Sequence, residues 1–148
     1  PEVDSLSDVN DHFFKGRYQD IRDYEKYLSR NGFVIFKFFL HISKDEQKKR
    51  FLRRINLPKK HWKFSSADIR ERQYWDKYQK AYEKAINATA TKKNPWYVVP
   101  ADDKWYSRLI VSDILTKEIE KLPLAYPVLS PDEAARLDTA KEELLNEK

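Results

Sequence analysis

The chain has 148 residues, with 29 lysines and arginines against 24 aspartates and glutamates, for a net charge of +5. At that length one domain is the default and a core can form, and an aromatic content of 14% argues against a disordered chain. The absence of cysteine excludes disulfides and thiolate metal sites and fits a reducing, cytoplasmic setting, while the positive balance favours anionic partners without choosing among nucleic acid, polyanion and acidic protein.

Residues 1–12 are polar and read as irregular, and the opening PEVDSLSDVND, which lacks an initiator Met, reads as the inside of a longer protein. From Phe14 onward, Tyr18, Ile21, Tyr24 and Leu28 recur at helical spacing. Gly32 then stands where a helix end wants a left-handed residue. FVIFKFFLHIS follows, short, aromatic and almost continuously apolar, the pattern of a parallel strand buried on both faces. Lys37 interrupts it, and no apolar run in the chain reaches the roughly 20 residues of a membrane span.

Ser43 with Glu46 has the spacing of a capping box, so a helix is expected from there to about Ile55. NLPKKHWKFSS reads as a connector, and Ser65 with Asp68 resembles a second box. The helix after it carries Trp75, Tyr78, Tyr82, Ala85 and Ile86 on one side, a set expected in the core. WYVVPA is a second short strand. Asp102 is placed to cap a further helix whose stripe is Val111, Leu115, Ile119 and Leu122. PLAYPVLSP is extended, and Ser130, Pro131, Asp132 and Glu133 open a last, charged helix. Two apolar strands separated by more helix than strand predict an α/β fold: a parallel sheet of two strands with about five helices. Two strands make a poor sheet, which again suggests part of something larger.

The stretch KDEQKKRFLRRINLPKKHWKF, residues 44–64, is dense in lysine and arginine and directly follows the first strand. Ligands of open α/β sheets bind beyond the strands' carboxyl ends. Arg50 and Arg54 are four apart and share a helix face, and paired guanidinium forks suit phosphate oxygens. Lys59, Lys60 and Lys63 add point charges, and Trp62 offers a stacking surface. A solvated charged face explains the same run, so both readings stand. His41 reads either as a packing residue or as an acid, base or ligand. Asp102, Asp103 and Lys104, at the end of the second strand, read either as caps or as ligand contacts. His12 and His61 have no partners at metal spacing, and two glycines cannot supply a Gly-rich phosphate loop.

The run from FKFFLHISK through PKKHWKF, then SSADIRERQYWDKYQKAYE, then TATKKNPWYVVPADDKW, resembles in order the carboxyl-terminal half of family-2 polyphosphate kinases. The likeness covers roughly residues 14–126. The resemblance implies a P-loop-kinase-like sheet of the thymidylate-kinase type. It implies a transferase that moves phosphoryl groups between inorganic polyphosphate and nucleoside mono- or diphosphates with magnesium. Residues 1–128 would be the kinase portion, with a basic lid at about 44–64, and residues 129–148 a charged helical tail. The Walker A and Walker B segments that grip phosphate and magnesium lie in the family's other half, so the chain is expected to be inactive alone, and PEVDSL looks like sequence just past the Walker B strand. By resemblance, Arg50 and Arg54 match catalytic lid arginines, and Lys60 and Lys63 match phosphate-binding lysines. Trp62, Asp103 and Lys104 are candidate nucleotide contacts. Arg53 matches no position and is left as surface. A homo-oligomer is expected. The competing reading is a basic, aromatic-rich module that grips single-stranded nucleic acid.

Overall fold

Residues 9–147 are described by a computed structural model. In chain order it contains α1 (Asp11–Arg30), β1 (Lys37–His41), α2 (Lys44–Asn56), a 3₁₀ segment (Pro58–Lys63), α3 (Ser66–Glu71), α4 (Trp75–Thr89), β2 (Trp96–Pro100), α5 (Lys104–Ile119) and α6 (Pro131–Asn146). One compact unit runs through Asp113 and a second begins at Ile114. The opening PEVDSL lies outside the described residues.

β1 and β2 pair in parallel, with Lys37 opposite Trp96 and His41 opposite Pro100. The ladder continues one step beyond the strands, where the Ala101 amide donates to the His41 carbonyl at 2.8 Å. Phe38 and Tyr97, directly opposite, stack with ring centroids 5.3 Å apart, the kind of cross-strand pair that stabilises a sheet. The α/β class with a parallel sheet is therefore what the sequence predicts, with six α-helices where about five are expected. The extra helix arises because the segment after Ser65 is not continuous. A 3₁₀ turn at Arg72–Tyr74 separates α3 from α4.

Several helix ends follow sequence chemistry. Asn10 Oδ1 accepts from the His12 and Phe13 amides, so α1 begins at Asp11, earlier than the apolar spacing indicates. At its other end Gly32 has φ +85° and the Phe33 amide donates to the Leu28 carbonyl at 3.2 Å, the six-to-one bond of a Schellman motif. Ser43 Oγ accepts from the Glu46 amide at 3.1 Å, but Glu46 turns its carboxylate to Arg50 instead of closing the box. In the second unit Ser130 and Glu133 complete a full capping box at the start of α6.

The core is small. Among the described residues Val99 and Ala101 are the fully buried apolar side chains. The described residues also hold a buried ion pair, Lys37 Nζ to Glu25 Oε2 at 2.8 Å. The same ammonium donates to the Thr89 carbonyl at 2.9 Å and sits 5.3 Å from the centre of the Trp96 ring. The lysine that interrupts the first apolar run is thus the strand's most buried residue, tied to α1 and to the end of α4.

Two expectations are corrected. Tyr78 and Tyr82 of the α4 set are not core, being 43% and 45% exposed, while Trp75 is half-buried. Nor is β1 covered on both faces, for its Leu40 is 54% exposed. Among the described residues the sheet order β1–β2 leaves β1 with one paired edge.

Candidate phosphate-binding groove

The carboxyl ends of β1 and β2 lie side by side, and each is followed within three residues by a helix: α2 after β1, α5 after β2. Asp102 and Asp103 divide the work at this junction. Asp103 Oδ1 accepts from the Trp105 and Tyr106 amides at 2.8 and 3.0 Å, so Asp103, not Asp102, caps α5. Asp102 Oδ1 accepts from the Ser43 amide at 2.7 Å, joining the two strand-to-helix turns. That bond, with the Arg50 and Lys49 charges nearby, holds the Asp102 carboxyl below the ordinary carboxylate range.

Arg50 reinforces the junction. Its Nε donates to Glu46 at 2.8 Å, and its Nη2 donates to the Ala101 carbonyl at 2.6 Å and the Asp102 carbonyl at 3.3 Å. The i, i+4 rule places Arg54 on the same face, yet Arg54 turns to other partners. Its guanidinium lies 4.0 Å from the Asp68 carboxylate and 5.4 Å from the centre of the Phe51 ring. The structure brings Arg50 to the strand ends and Arg54 to α3.

Beside Arg50 is an open groove of about 440 Å³ whose lining includes Lys49, Arg53, Asp103, Lys104 and Trp105. Lys60, from the 3₁₀ segment, does not line the groove but feels its cations. Its ammonium is pushed below the ordinary lysine range, first by Arg53 and then by partial desolvation, Lys104, Lys59 and Lys63. Three elements therefore converge like charges here: Arg53 from α2, Lys60 from the turn and Lys104 from α5. Lys63 sits 4.7 Å over the Trp62 ring, and Trp62 is 79% exposed.

Of the residues singled out from sequence, Arg50, Asp103 and Lys104 line this groove, and Lys60 feels the charges of Arg53 and Lys104 without lining it. Arg54 does not line it. Arg53, left as surface by the sequence, does. The signal was present, since Arg53 is three residues from Arg50 and a helix face accepts i+3 as readily as i+4. Sequence alone had no means of choosing between them. His41 is exposed, with its Nε2 3.0 Å from Gln79 Oε1. It lines a second hollow of about 330 Å³ with Phe39, Phe51, Arg72, Trp75 and Tyr82.

Among the described residues no group of three or more His, Cys, Asp or Glu side chains could hold a metal ion, and no helix is long and apolar enough to cross a membrane. The groove's lining holds four cations, Lys49, Arg50, Arg53 and Lys104, and three carboxylates, Glu46, Asp102 and Asp103. It offers guanidinium and ammonium donors at the positive end of α5, in a position where oxygens of a phosphate chain could be neutralised.

The family description Polyphosphate kinase 2 (PPK2) matches residues 3–124. The chain is 51% identical over 133 residues to an ADP-polyphosphate phosphotransferase of Rhodopseudomonas palustris, covering 90% of this chain and 46% of that protein. It is 50% identical over 131 residues to an uncharacterized protein of Leptolyngbya boryana, covering 88% of this chain and 96% of that one. A solved polyphosphate kinase 2 of Arthrobacter aurescens superimposes with a TM-score of 0.82 at 42% identity, over 90% of this chain and 48% of that one. The chain thus spans about half the length of the Rhodopseudomonas and Arthrobacter proteins that it matches.

Proposed function

The chain belongs to the polyphosphate kinase 2 family, and from that premise we propose that it works as part of a cytoplasmic polyphosphate:nucleotide phosphotransferase, moving phosphoryl groups between inorganic polyphosphate and nucleoside mono- or diphosphates. Residues 1–128 act as kinase portion and 129–148 as an appended tail. Residues 44–64 are the basic lid. The observation that carries the reading is the convergence of cations from three segments at the strands' carboxyl ends.

Phosphoryl transfer is catalysed mainly by positioning and charge stabilisation. Arg50 holds the two strand-to-helix turns together and presents its fork beside the groove. Lys60, and Lys63 on the same turn, neutralise oxygens of the polyphosphate chain. Arg54 is an anion contact that leaves Asp68 when the lid closes. Trp62, Asp103 and Lys104 are the candidate nucleotide contacts. The magnesium implied by the family finds no ligand set among the described residues, and this reading places its ligands elsewhere. By itself the chain binds polyphosphate without turnover.

The test is a comparison of binding to linear polyphosphate and to single-stranded RNA, each at two salt concentrations. Polyphosphate should bind more tightly at both. RNA binding that is tighter and depends on base identity would instead establish a nucleic-acid module.

A further inference from the structure

Within the groove the carboxylates and the cations have unequal fates. Glu46 is bonded to Arg50, Asp102 to the Ser43 amide and Asp103 to the first amides of α5. The acids are therefore committed to holding the groove together. Arg53, Lys60 and Lys104 have no carboxylate partner among the described residues. Arg53 and Lys104 line the same groove, and Lys60 feels both of their charges. Like charges gathered without counter-charge oppose folding. The arrangement becomes favourable when an anion occupies it. Neighbouring Arg54 shows the contrast, since it has both a carboxylate and a ring partner.

We propose that Arg53 is a substrate-binding residue, which with Lys60 and Lys104 forms a three-cation subsite for consecutive phosphates of a linear polyanion. This rests on the reading above and deepens it. Arg53 supplies the fork that spans two oxygens, and the two lysines supply point charges on either side. Lys104, which lines the groove with Arg53, then serves phosphate oxygens of the bound substrate. A chain of phosphates carries more charge to the cations than a single orthophosphate does, so the subsite favours the longer anion.

The experiment is calorimetric titration of the full chain with linear polyphosphate of defined length and, separately, with orthophosphate. Arg53→Ala should weaken polyphosphate binding about tenfold, the loss of one charged contact. It should also lower the slope of log affinity against log salt by about one. Arg53→Lys should recover part of the loss. Lys48→Ala removes the same charge from an exposed site on the same helix and should change affinity less than about twofold. Orthophosphate binding should be weak in the parent and barely altered in Arg53→Ala. Equal effects of Arg53→Ala and Lys48→Ala overturn the assignment of Arg53 and leave the general reading standing. Failure of the parent chain to bind polyphosphate at all overturns both.

Discussion

Lys37 shows how far one residue's role can depart from its type. In the sequence it is a charge that spoils an apolar run, and in the structure it is the strand's anchor, with Glu25, the Thr89 carbonyl and the Trp96 ring around its ammonium. Buried pairs of this kind add little net stability against an apolar substitute, but removing one partner strands the other charge. Lys37→Met or Glu25→Gln alone should therefore cost about 3–5 kcal/mol. The double variant should cost less than the sum of the two, measured by urea denaturation of all four proteins in a double-mutant cycle. Strict additivity would show that the pair does not act as a unit. Arg53 and Arg54 make the same point at the groove: two adjacent, identical side chains, one held by Asp68 and the other without an acid.

Between elements, the decisive contact is the bond from the Ser43 amide to Asp102, which ties the turn after β1 to the turn after β2. It holds the Asp102 carboxyl below its ordinary value of 3.8. The sign follows from linkage. A carboxyl depressed in the folded state contributes stability above its unfolded pKa and loses it as pH falls through the folded one. Stability should thus decline on acidification below about pH 4, with part of that decline due to Asp102. Asp102→Asn should flatten this acid limb and leave the slope at neutral pH unchanged, as read from thermal midpoints across the pH series. An acid limb identical in parent and variant would remove the carboxylate from the account. The helix caps belong to the same scale. Ser43, Ser65 and Ser130 each accept an amide of the first turn, as the sequence indicates. The cap of α5 falls on Asp103 instead of its neighbour, because Asp102 is drawn across to the other turn.

For the whole molecule, the two-stranded sheet is the governing fact. Its order leaves β1 without a partner on one edge among the described residues, and large apolar side chains such as Leu40 and Tyr82 stay about half exposed. Unpaired edges and apolar patches of this kind recruit other polypeptide. The isolated chain should therefore self-associate with rising concentration, and Leu40→Lys should reduce the association without loss of helical signal. Sedimentation velocity over a concentration series checks this, and a monomer at every concentration would contradict it.

The sequence by itself determined the α/β class, the parallel pairing of two apolar strands, most helix starts and the polyphosphate kinase 2 likeness. These depend on short-range chemistry: capping side chains, apolar spacing, and ordered motifs that persist along the chain. It also located the basic segment correctly at the strand ends. Only the tertiary structure decided which cations face the groove and which are already neutralised. Arg50, Arg53 and Arg54 satisfy the same helical spacing rules. Their fates differ because Ala101 and Asp102 meet the first, the second lines the groove with Lys104, and Asp68 meets the third. Those partners lie up to 52 residues away in sequence, and no local pattern encodes which side chain will find them.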